Sequence, residues 1–206
     1  MNCRFVILAL TGILLFLPIY SVDSFPSGVG EIGNEGCLCH GSSNANTEIV
    51  LLGVPEKFES STNYSLQLEL VNNEIQPSQD SAQGGFRIII DSGSLIFQND
   101  EGQFLEGGWT HQESSNQQRI WNFTWTSPDD NTTMSKFLIY GNAVNGNGYS
   151  NEDNWFVLEK YIPGEQNFDA IPNQVNVEHE LEMFDKVMLV TGLLALLLIC
   201  FRVIKD

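Results

Sequence analysis

The sequence predicts an all-β domain, a two-sheet antiparallel sandwich of immunoglobulin-like form, flanked by an N-terminal signal peptide and a C-terminal transmembrane helix. Three observations predict it. Short apolar or alternating runs recur from Glu48 to Tyr161, separated by clusters of Gly, Pro, Asn and Ser. No segment before residue 187 carries a helical period, whereas both ends are continuously apolar. The 206 residues, less a segment at each end, leave about 160, which suits one domain with a sizeable core.

Met1–Arg4 is a positive start, Phe5–Leu17 an apolar run, and Pro18 breaks it. Val22 and Ser24 are the small residues of a cleavage site before Phe25, so residues 1–24 read as a secretory signal. Residues 25–47 form a segment without strand pattern that holds Gly36-Cys37-Leu38-Cys39-His40-Gly41. Four fates suit this cluster, and its spacing leaves all four open. A Cys37–Cys39 disulfide closes a small, strained ring that an oxidising compartment permits. A metal set of Cys37, Cys39 and His40 crowds three ligands together. Haem attachment uses Cys-x-x-Cys-His; with one intervening residue fewer, Cys39-His40 keeps the adjacency needed for a single thioether and an axial histidine. Free thiols are the fourth. The bracketing glycines and polar flanks place the cluster outside the core.

The sandwich itself spans residues 48–164. Glu48–Leu52 is a buried strand ended by Gly53-Val54-Pro55. In the next, Tyr64, Leu66, Leu68 and Leu70 alternate with Ser65, Gln67 and Glu69, which predicts one apolar and one wet face. Residues 72–85 are polar and Gly-rich, a surface connection. Phe86–Asp91 and Leu95–Phe97 follow as strands about a Ser-Gly-Ser turn. Ile120–Thr126 is the strongest strand, with Trp121, Phe123 and Trp125 inward, and Lys136–Tyr140 reads as its neighbour. Trp155–Tyr161 closes the domain before Pro163-Gly164. Residues 165–186 are a polar spacer. Residues 187–204 form the anchor: fifteen apolar or small residues cover about 22 Å of helix, and about 27 Å with Arg202 snorkelling. Residues 205–206 are the tail. Arg202 and Lys205 favour a cytoplasmic C-terminus, so the expected place is a cell membrane, single-pass, with the N-terminal domain extracellular.

Twenty-six acidic residues against nine basic ones give a net charge of −17, which disfavours a nucleic-acid partner. Asn63, Asn122 and Asn131 stand in N-glycosylation triplets. The Asn/Gly stretch 141–148 suits a turning loop, or a cation or ligand rim in which Asn142, Asn145 and Asn147 offer carbonyl oxygens and Asp153 or Glu152 adds charge. No nucleophile with a base, phosphate loop or spaced carboxylate pair is present, so an enzyme is not expected.

Several stretches together resemble the choice-of-anchor V domain of prokaryotic surface proteins, related in form to reeler-like β-sandwiches. They are Gly53-Val54-Pro55 leading to Tyr64-Ser65-Leu66, Gly85-Phe86-Arg87-Ile88, residues 121–128 from Trp121 to Pro128, and residues 141–148. The resemblance covers about residues 27–161 and implies an exported domain ahead of an anchor. Members often carry Cys-x-x-Cys-His near the mature N-terminus, and Cys37, Cys39 and His40 occupy that place with one residue deleted. It also points to His111, in Trp109-Thr110-His111, as the opposite axial ligand, although among Gly, Gln, Glu and Ser a surface-loop histidine is the plainer reading. Two functions follow: a surface module, binding or structural, facing a protein or glycan partner, or a membrane-tethered carrier holding haem c or a metal ion.

Overall fold

The computed structural model describes residues 25–40, 43–76, 81–147, 152–172 and 183–205; in the last stretch side chains are described for 183, 186–199 and 201–202. The signal peptide expected over 1–24 lies outside the described residues. The chain divides into two units, one being Asp23–Val177 and the other the terminal segments, of which one helix, α1 (Met183–Lys205), is described.

Asp23–Val177 holds two antiparallel sheets. The strands are β1 (Thr47–Leu52), β2 (Asn63–Asn72), β3 (Gly84–Ile90), β4 (Ser94–Phe97), β5 (Gly102–Leu105), β6 (Gly108–His111), β7 (Ile120–Thr126), β8 (Met134–Ala143) and β9 (Asn154–Pro163). One sheet has the order β1-β2-β7-β4 and the other β5-β6-β3-β8-β9. Between them lies an aromatic core. Leu66, Leu68 and Leu70 of β2 and Trp121, Phe123 and Trp125 of β7 all face inward and are buried, as their alternation requires. From the opposite sheet come Phe86, Ile88, Phe137 and Ile139. Rings meet edge to face across the gap, Trp125 with Phe137 at 5.2 Å and Phe86 with Trp121 at 5.0 Å between centroids, the arrangement ring quadrupoles favour.

Two expectations need correction. Lys136–Tyr140 does not neighbour Ile120–Thr126: β7 pairs with β2 and β4, while β8 pairs with β3 and β9. The reason lies in the side chains. β7 alternates apolar with polar and suits a sheet wet on one face, whereas Phe137-Leu138-Ile139-Tyr140 is apolar on both faces and needs cover on each. His111 is not on a surface loop either; it ends β6 and is buried at 8% exposure. The hairpin β5–β6 went unread because its strands are four residues each. Its turn, Glu106-Gly107, has φ of 44° and 77°, the pairing a tight two-residue hairpin demands.

The chain stays on the sandwich past Gly164. Phe58 and Gly164 form a bridge, and buried Asn167 donates from Nδ2 to the Thr132 carbonyl at 2.8 Å. In α1 every described side chain from Val187 to Ile199 is exposed, and all but Thr191 and Gly192 are apolar. Among the described residues no helix is long and apolar enough to cross a membrane; the helical backbone of α1 runs through 23 residues.

Trp125 touches Phe58, Tyr64 and Phe137. Trp125→Ala should therefore cost about 3–5 kcal/mol, read as a large drop in melting temperature; an unchanged midpoint would contradict the core described here.

Candidate functional site

The outer face of the five-stranded sheet is not wet. On it the strands present Arg87 of β3, Leu138 and Tyr140 of β8, and Trp155 and Val157 of β9, and the segment that precedes β1 covers them. This segment has no strand of its own. It consists of two 3-10 turns, Glu31–Glu35 and Leu38–His40, and is held by side chains.

Arg87 is the principal holder. It is fully buried and donates from Nε to Asn34 Oδ1 at 2.9 Å, from Nη1 to the Val29 and Leu105 carbonyls at 3.1 and 2.6 Å, and from Nη2 to the Glu106 carbonyl at 2.8 Å. The fork therefore ties the covering segment to the β5–β6 hairpin in one set of bonds. Burial lowers its pKa, opposed by the charges of Glu106 and Glu31, yet a guanidinium stays charged throughout the accessible range. Farther along, Gly36 sits on the Trp155 ring with φ +106°; a Cβ there would lie 2.4 Å from the indole. This seats Cys37 against Tyr140 and Trp155.

Covering segment and sheet enclose a cavity of about 250 Å³ lined by Cys37, Cys39, His40, His111 and Asn142 together with apolar side chains such as Phe86 and Val144. Phe25, Ile32 and Leu38 line it too and remain exposed, so its mouth has an apolar rim. The cysteine cluster, His111 and the start of the Asn/Gly stretch thus meet at one place, though 30 to 100 residues separate them in the chain.

His40 Nδ1 lies 2.8 Å from Asp153 Oδ2, and Asp153 Oδ1 accepts the Asn145 N–H at 3.0 Å. One buried carboxylate therefore orients the imidazole and closes the loop after β8. His111 is held differently. Its Nδ1 accepts the Phe86 N–H at 3.2 Å, and it lies so close on Gly85 that a Cβ there would come within 2.5 Å of the ring. Burial lowers the His111 pKa; the facing carbonyls of Phe86 and Phe25 oppose the shift, and the His40 charge adds to it.

Cys37 and Cys39 are free thiols, not a disulfide. The 3-10 turn begins between them, with the His40 N–H on the Cys37 carbonyl at 2.8 Å, and Cys37 is packed in the aromatic cluster of the outer face. The cluster is outside the main core, as expected, but Cys37 belongs to a second one. Although the residue keeps some exposed surface, its thiol is desolvated: burial, with a smaller contribution from Cys39, pushes it up to about 12. Among the described residues no group of three or more His, Cys, Asp or Glu is arranged to hold a metal ion. A resident haem does not fit either. The volume falls below the ~300–1,000 Å³ of sites for drug-sized ligands, which a porphyrin exceeds.

The oxygens of the expected cation rim make local bonds. Asn145 Oδ1 accepts the Asn147 N–H at 2.9 Å, both Asp153 oxygens are taken, and Asn142 lines the cavity instead. Asn63 and Asn122 are exposed, and Asn131 partly so; Asn63 Oδ1 accepts from Thr126 and Asn122 Oδ1 from Gln67. The sequence reading missed Arg87 and Gly85. The signal for Arg87 was a charge at an outward position of a strand otherwise apolar on both faces, Phe86 to Ile90.

No protein-family model matches the chain, so its likeness to choice-of-anchor V domains stays one of motifs. No curated protein matches it. Among solved structures, the human F-spondin reeler domain is similar at 17% identity and TM-score 0.38, over 60% of this chain and 92% of that one. A conjugative transposon lipoprotein from Bacteroides eggerthii is similar at 12% identity and TM-score 0.37, over 58% and 98%. AggA, the major subunit of aggregative adherence fimbriae type I from Escherichia coli, is similar at 8% and 0.36, over 58% and 94%. Likenesses this distant carry nothing about function.

Two outcomes test the site. In a Cys39→Ser variant at pH 8, burial should keep the Cys37 thiol protonated, so alkylation should be far slower than in urea and rise about tenfold per pH unit toward pH 10; labelling at the denatured rate would place Cys37 in solvent. His111, with its pKa depressed, favours the fold while neutral, so its contribution is complete above about pH 6.5 and is lost as pH falls below that. Chemical denaturation should show this acid loss reduced in His111→Gln, and an identical pH profile would remove the assignment.

Proposed function

We propose that the chain is an exported β-sandwich held at a membrane by α1, and that the cavity under its N-terminal segment is a binding site. The cavity is the observation that carries this reading. A segment without regular structure is clamped over a sheet by a buried arginine, yet it leaves a mostly apolar, open-mouthed space where filled packing would be more stable.

Support for the anchor comes from α1 and the sequence around it. At 1.5 Å per residue its backbone is about 34 Å long, against about 30 Å of hydrocarbon. Its exposed residues from Val187 to Ile199 are apolar apart from Thr191 and Gly192, and the Thr191 hydroxyl donates to the Val187 carbonyl at 2.9 Å, so its proton stays satisfied away from water. With Arg202 and Lys205 at the end, the expected topology is a single pass with the sandwich outside. The net charge of −17 argues against nucleic acid as the partner. His40 and His111 have their Nδ1 atoms engaged by Asp153 and by backbone, and the Cys37 thiol is protonated, so the site favours binding over catalysis.

Protease added to intact cells should release a fragment ending before α1, and a chain truncated after residue 177 should leave the membrane fraction. Full-length protein recovered from cytosol without detergent would sink the anchored topology. Protein purified from its own membranes should lack a Soret band; a covalent haem adduct surviving denaturation would replace the binding reading with electron transfer. Ala82 lines the cavity, and Ala82→Trp should fill it and abolish binding without unfolding the sandwich.

A further inference from the structure

The polar groups around the cavity are largely taken up by the protein itself. His40 Nδ1 is engaged by Asp153 and His111 Nδ1 by the Phe86 N–H, and Asn116 Nδ2 donates to the Pro26 carbonyl at 3.3 Å. In the main chain of the wall, the Gly84 N–H is on the Asn116 carbonyl and the Val144 N–H on the Gln83 carbonyl. Asn142 Oδ1 has no hydrogen-bond partner, but it is closed off within the protein and offers a ligand nothing. Glu35, Cys39 and His40 keep exposed surface, where water serves their remaining polar atoms. A donor or acceptor carried into the interior of this space would give up water for no partner, and that is costly.

Charge is disfavoured in both signs. Arg87 and Arg119 donate to the carbonyls of Val29 and Val144, both residues of the wall, so positive charge lies behind it and opposes an ammonium, while Glu35 lines the same cavity and opposes a carboxylate. What the wall does offer is apolar contact: Phe25 and Phe86 are aromatic neighbours, and Cys37 and Cys39 bring polarisable sulfur, all of which suit a ring. An apolar cavity of about 150 Å³ holds benzene; about 250 Å³ has room for two fused rings. It falls short of the ~300–1,000 Å³ of sites for drug-sized ligands, which leaves out a whole lipid. We infer that the cavity takes an uncharged hydrocarbon of one or two rings without a hydrogen-bonding group, of the class of arenes and small cyclic terpenes. This rests on the reading of the cavity as the binding site.

The test compares indene with indole, which has the same shape and an N–H in place of the CH₂, and with an aminoindane, which adds an ammonium. Full-length protein in lipid nanodiscs is titrated calorimetrically with each, empty nanodiscs giving the baseline and the free concentrations. Indene should bind about tenfold more tightly than either of the others. Ala82→Trp should remove the affinity for indene, and Ile32→Asp, at a rim position that is exposed and outside the core, should weaken it by placing a carboxylate at the mouth. Indole or the aminoindane binding as tightly as indene overturns the hydrocarbon class and leaves the cavity reading standing. Binding of none above baseline overturns both, and so does an indene affinity that neither substitution changes. The comparison of ligands on the native protein decides the class even where a variant fails to fold.

Discussion

The burial of one guanidinium organises the outer half of this molecule. Arg87 stands at a position of β3 where an apolar side chain would fit the sheet, and it is fully buried with no ion pair among the described residues. Its charge is tolerated because three carbonyls and an amide oxygen replace water around it, an arrangement a planar fork achieves and an ammonium does not. Two of those oxygens, on Val29 and Asn34, belong to a segment with no sheet to join. The arginine therefore needs the segment as solvation, and the segment needs the arginine as its attachment. Arg119 uses a similar device, donating to the carbonyls of Gln83, Ile75 and Val144.

The cavity follows from this mode of attachment. Strand addition would have brought the segment flush with its neighbour, whereas a few long side chains and turns hold it at spaced points. Gly36 on Trp155 and Gly85 under His111 set how closely it and the hairpin approach. Asp153 couples the loop after β8 to His40, so the histidine beside the cysteines is aimed by a residue 113 positions later in the chain.

Most of the sandwich was legible in the sequence because its information is local. Period-two alternation in Tyr64–Leu70 and Ile120–Thr126 names the inner face without any partner. The double-sided apolar run Phe137–Tyr140 also announced a strand, but its sheet depended on what covers the second face, and that cover lies a hundred residues earlier without a pattern of its own. The β5–β6 hairpin was lost to the shortness of its strands. For the site, His40, His111, Asn142 and the cysteines were legible as residues of interest but not in their roles. Which nitrogen is free, which thiol is desolvated and which oxygen lacks a partner are properties of contacts between distant segments. The cysteine pair and the Asn oxygens stood out by local spacing, whereas what surrounds each is set by segments distant in the chain.

The direction of β9 bears on where the cavity stands. Trp155, at its beginning, lies beside the cavity, and Pro163, at its end, is where the chain leaves the sheets toward Asn167. Eight residues of extended chain separate the two by about 27 Å. The cavity and the chain's departure from the sheets thus lie at opposite ends of β9.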